Sequence, residues 1–67
     1  MGWSSLPIEV REAAERELTR KQLDVLKLWT SGYSTRRIGL MLGVSEATAR
    51  AHRDRALQKL KPYMEAA

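Results

Sequence analysis

Sixty-seven residues with 43% hydrophobic content fit one small domain with a single core, because a chain this short buries only about 60% of its unfolded surface. The lack of cysteine removes disulfides and thiolate metal sites, and the one histidine, His52, has no partner at zinc spacing, so no cofactor and no metal are expected. The net charge of +4 is unevenly placed: residues 1–19 hold four glutamates against two arginines, whereas residues 20–61 hold ten basic residues against three acidic ones, where a phosphate backbone would be met.

Residues 1–6 read as a flexible tail and residues 7–65 as one all-α domain of four helices. Pro7 suits a first helical turn, and Leu6, Val10 and Ala13 form a modest apolar face, with Ala14 at its edge, in a helix running to about Arg16. Thr19 reads as an N-cap, with Gln22 three residues on to close a capping box. In the helix that follows, Leu18, Val25, Leu26 and Trp29 lie on one side, flanked by Leu23 and Leu28, and Gly32 is placed to end it in a left-handed conformation, with Tyr33 packed beside the turn. Ser34 caps a short third helix through Leu42, in which Ile38, Met41 and Leu42 face inward and Arg36 and Arg37 stay wet. Gly39, mid-helix, points to two backbones in close approach. Gly43 and Val44 make a short turn, and Ser45 caps a last helix expected over about residues 46–61 or past Pro62.

At 100° per residue, Ala49, Ala56 and Leu60 share an inner line of that helix, with His52, Arg53 and Leu57 at its margins. The opposite side carries Ala47, Arg50, Ala51, Asp54, Arg55, Gln58 and Lys61. A helix-turn-helix places such a face in the major groove of double-stranded DNA. Small Ala47 and Ala51 would permit close approach to base edges, and the guanidinium of Arg50 matches the O6 and N7 acceptors of guanine. Asp54 either accepts from cytosine or, slightly preferred, orients Arg50 by pairing with Arg50 or Gln58. Arg36, Arg37, Arg53, Arg55 and Lys59 are phosphate candidates, joined at the helix N-terminus by Ser45 and Thr48. His52 reads as a packed residue with one hydrogen bond rather than a base.

From Leu18 the residues LTRKQLDVLKLWTSGYSTRRIGLMLGVSEATARAHRDRALQKL resemble the LuxR/GerE-type helix-turn-helix domain of bacterial transcription regulators, without a gap over 43 of 67 residues. The resemblance rests on Leu18, Thr19, Val25, Leu26, Leu28, Gly32, Ser34, Ile38, Leu42, Gly43, Ser45, Thr48, His52, Lys59 and Leu60, and the stretch RDRALQKL is similar to region 4 of sigma-70-type factors. It implies base contacts from Arg50, Ala51 and Asp54 and a phosphate contact from Thr48, in bacterial or phage transcription regulation. Gly39 stands where the family has alanine, Gln22 where it has glutamate, Arg37 where an acidic residue is frequent, and Ala49 and Ala56 where larger aliphatics are usual. The space left by the two alanines is expected to be filled by Val10, Ala13 or Ala14 with Leu23 or Leu28. Family members dimerise through a further helix after the recognition helix, where this sequence has only residues 61–67, so a homodimer would need another route, such as Trp3, Tyr63 and Met64; Trp3 could equally be a stray tail aromatic.

The alternative reading is a module like sigma region 4 whose main task is to bind RNA polymerase or another regulatory protein; a third makes it a structural or inhibitory domain with an acidic first helix against a partner. Enzymatic activity is not expected, for there are no convergent carboxylates and no nucleophile beside a base. No apolar run approaches the roughly 20 residues of a membrane span, and the glutamates of residues 1–18 are unlike a signal peptide, so the expected location is the cytoplasm, with no membrane contact.

Overall fold

A computed structural model describes residues 2–66, and among them four α-helices and no strand: α1 Ile8–Glu17, α2 Arg20–Thr30, α3 Thr35–Leu42 and α4 Glu46–Ala66. The expected all-α architecture with an additional N-terminal helix is what forms. α4 is the axis of the molecule, with α1, α2 and α3 all packed on it.

Each boundary has a local cause. Before α2 the Thr19 hydroxyl accepts from the Gln22 N–H, and the Gln22 side chain accepts from the Thr19 N–H, both at 3.2 Å, so the capping box forms as read. α2 ends when the Tyr33 N–H reaches back to the Leu28 carbonyl and the Gly32 N–H to the Trp29 carbonyl, with Gly32 at φ 105°. The Ser34 hydroxyl caps α3 by accepting from the Arg37 N–H, and Gly43, at φ 72°, closes it while the Val44 N–H bonds the Gly39 carbonyl at 2.9 Å. Ser45 caps α4 by accepting from the Thr48 N–H at 3.1 Å.

Two buried clusters hold the helices. Val10, Ala13 and Ala14 of α1 meet Leu26 of α2 and Ala56 and Leu60 of α4, with Leu18, Leu23 and Leu57 alongside. Val25, Ile38 and Ala49 form the second, bordered by Leu28, Leu42 and Val44. Ala56 is met by α1 with Leu23 alongside, as expected, whereas Ala49 is met by Val25 of α2 and Ile38 of α3 with Leu28 beside them, and no α1 residue belongs to that cluster. α1 consequently lies over the C-terminal half of α4 and α3 over its N-terminal half, along a body 32 Å in its longest dimension.

Four expectations, for Met41, Tyr33, Trp29 and the N-terminal tail, are corrected, whereas the extension of α4 past Pro62 is one the sequence allows. Met41 is 48% exposed rather than inward, because the buried side of α3 is Thr35, Ile38 and Gly39 with Leu42 beside it. Tyr33 and Trp29 are both exposed, at 40% and 37%. The expected tail holds a 3-10 turn, Trp3–Ser5; Trp3 and Leu6 pack against the first cluster, and the Lys27 ammonium sits 5.6 Å from the centre of the Trp3 ring. Met1, the remaining residue of that segment, lies outside the described residues. α4 runs through Pro62, although a proline has no N–H for the Gln58 carbonyl. No described helix is long and apolar enough to cross a membrane.

Candidate nucleic-acid interface

The geometry of the site begins at Gly39. A Cβ there would stand 2.7 Å from the Val44 carbonyl oxygen and 3.3 Å from the Glu46 nitrogen, so α3 lies directly on the turn that leads into α4. This close approach is the one the glycine signalled, and it sets the angle at which α4 leaves the turn.

All seven residues assigned to the outer side of α4, Ala47, Arg50, Ala51, Asp54, Arg55, Gln58 and Lys61, are exposed, and Ala49, Ala56 and Leu60 are fully buried. His52, Arg53 and Leu57 are half-buried at the margins, as the helical period requires. Near the start of α4 the outer side is therefore small and basic, with Ala47 and Ala51 on either side of Arg50.

The hydrogen bonds divide the cations by task. Arg50 donates to Glu46 at 3.1 Å, one helical turn back, and the same Glu46 oxygen accepts from the Thr35 hydroxyl at 3.4 Å. Asp54 is bound by Arg53, at 3.0 and 2.8 Å, and not by Arg50 or Gln58 as the i,i+4 rule suggested. Arg53, its side chain only 24% exposed, also stacks 5.5 Å over the ring of Trp29. Lys59 points away from the outer side of the helix: its ammonium donates to Gln22 Oε1 at 2.9 Å and to the Glu17 carbonyl at 3.4 Å. These two cations, expected on phosphate, are engaged by partners within the chain, Arg53 half-buried and Lys59 exposed. Arg36, Arg37 and Arg55 are exposed and make no ion pair among the described residues.

At the start of α4 the Ser45 hydroxyl both accepts from the Thr48 N–H and donates to Thr48 Oγ1 at 2.8 Å. Thr48 Oγ1 thereby accepts a hydrogen bond and keeps its own O–H to donate to an outside acceptor. His52 Nδ1 is buried with no hydrogen-bond partner, so the single bond expected for it is not made at that atom. Glu46 was missed: its sequence signal is only an acidic residue in the first turn, which helix dipoles favour in any protein. Trp3 and Tyr63, considered for self-association, turn inward instead; the Tyr63 hydroxyl donates to the Glu17 carboxylate, and Arg16 lies 5.8 Å over its ring. Among the described residues no cluster of His, Asp and Glu could hold a metal ion.

Two helices joined by a glycine turn, with the second exposing a small, basic side, define a helix-turn-helix protein. Residues 16–62 match the GerE family, described as bacterial regulatory proteins of the luxR family, and the chain belongs to that family as a helix-turn-helix DNA-binding domain. It is 49% identical over 43 residues to the transcriptional regulatory protein DegU of Brevibacillus brevis, an alignment covering 64% of this chain and 18% of that protein. The chain thus corresponds to under a fifth of this relative's length. No solved structure matches it.

Proposed function

We propose that the protein regulates transcription by seating the N-terminal half of α4 in the major groove of double-stranded DNA. The observation that carries this reading is the run of exposed Ala47, Arg50, Ala51 and Asp54 on a helix whose other side is locked in the core. Arg50 reads guanine. Its pair with Glu46 joins two half-exposed groups, worth about 0.3–0.5 kcal/mol, so releasing it to a base costs little. Until then Glu46, itself held by Thr35, keeps the guanidinium over the outer side of the helix.

Ala47 and Ala51 let the backbone approach and can meet thymine methyl groups, and Asp54, backed by Arg53, accepts from cytosine N4. Arg36, Arg37 and Arg55 neutralise phosphates, with the Thr48 hydroxyl and the N–H groups after Ser45 as neutral donors. Arg53 and Lys59 serve this arrangement indirectly, by fixing Asp54 and by clamping α4 to the start of α2. Selecting bound duplexes from a random library tests the reading: an enriched site holding a guanine whose replacement matters only when Arg50 is present supports it, and recovery of no preferred sequence overturns it.

A further inference from the structure

We propose that the acidic outer face of α1 docks on the outer face of α3 of a second copy, a head-to-tail contact that can add copies in series. On α1 the side opposite buried Val10, Ala13 and Ala14 carries Ile8, Glu12 and Glu15, with Ile8 52% exposed; the bordering Arg11 and Arg16 are engaged by the Leu6 carbonyl and by Glu17 with the Tyr63 ring. On α3 the side opposite Thr35, Ile38 and Gly39 carries Arg37 and Leu40, bordered by Arg36 and Met41. Leu40 is 78% exposed, the largest exposure of any large apolar side chain described.

The two faces complement each other. Glu9, Glu12 and Glu15 make no ion pair among the described residues, and neither do Arg36 and Arg37. Each face centres on an apolar residue beside charges of one sign, so in the DNA-free protein Ile8 can meet Leu40 and Met41 while Glu12 and Glu15 meet Arg36 and Arg37, which DNA phosphates would otherwise take. α1 and α3 sit over opposite halves of α4 and cannot satisfy one another within one chain. Two different patches at opposite ends make the contact heterologous, which generates a series rather than a closed pair. Helices of ten and eight residues bury little area, so the contact is weak and sensitive to salt.

The test uses the full chain without DNA, so its outcome is independent of the DNA reading, and it leaves Arg36 and Arg37 in place. Sedimentation equilibrium at about 0.05 M salt should show a mean mass that rises continuously with concentration and falls back at about 0.5 M. Leu40→Glu removes the α3 face and Glu12→Lys with Glu15→Lys removes the α1 face; all three positions are exposed, and circular dichroism checks the fold. Each variant alone should be monomeric. Mixed, they should give a complex of one copy of each that grows no further, because one intact α1 face meets one intact α3 face. A parent chain that stays monomeric, a closed dimer, variants that associate like the parent, or a mixture that stays monomeric would each overturn the proposal.

Discussion

Arg50 reaches its place through Glu46, and Glu46 through Thr35, so the residue we propose for base contact is oriented through a side chain on another helix. Arg50→Ala is expected to weaken binding to the preferred duplex by ~1–3 kcal/mol and to relax preference at one base position, read by anisotropy on a set of single-base variants. Equal losses on every sequence would assign Arg50 to phosphate instead. Gly39→Ala places a carbon 2.7 Å from a backbone oxygen that cannot rotate away, so the turn must shift; a loss of about 1–3 kcal/mol in urea unfolding is expected despite alanine's better helix propensity. The glycine's role was legible because mid-helix glycine without a positional reason is disfavoured. The partner of Asp54 was not: the helical rule favours Arg50, but Arg53 lies against Trp29 of α2, and no local pattern reports that placement.

Among the elements, α4 was the most legible because its 21 residues repeat the period often enough to separate buried from exposed sides. α3 has eight residues, barely two turns, and there one position of uncertainty in the inner line was enough to misplace Met41. The caps were readable from single residues, since a hydroxyl before a helix has one local task. Thr19→Ala should lower the urea midpoint with an unchanged slope, by about 1 kcal/mol, as the Gln22 N–H loses its acceptor. Ala13, Ala14 and Ala56 are fully buried where α1 packs on α4, so a larger side chain there must displace its neighbours. Ala56→Leu is therefore expected to destabilise by about 1–3 kcal/mol, read in the same way, whereas the same change at exposed Ala51 should leave stability nearly unaltered.

At the scale of the whole molecule, the charge division visible in the sequence survives folding but is redistributed. Ten cations lie in residues 20–61, yet those on the outside without an acid include only Arg36, Arg37 and Arg55 of the phosphate candidates. Three phosphate neutralisations predict a slope of about −3 for log affinity against log salt, and Arg55→Ala should reduce it by about 1. A much steeper slope would mean that Arg53 or Lys59 leaves its internal partner on binding. Composition could not reveal this, because the contacts of Lys59 join residues 37 and 42 positions apart.

That Lys59 contact has a kinetic consequence. Gln22 Oε1 serves the cap of α2 and the ammonium of Lys59 at once, so one amide links the start of the second helix to the C-terminal half of the last. Closing a loop of that length costs entropy before the contact repays it, so the link is expected to form on the native side of the folding barrier. Gln22→Ala should accordingly hasten unfolding in stopped-flow measurements and leave the refolding rate close to that of the parent chain. On that outcome the local helices set how quickly the chain assembles, while this side-chain amide lengthens the time it stays assembled.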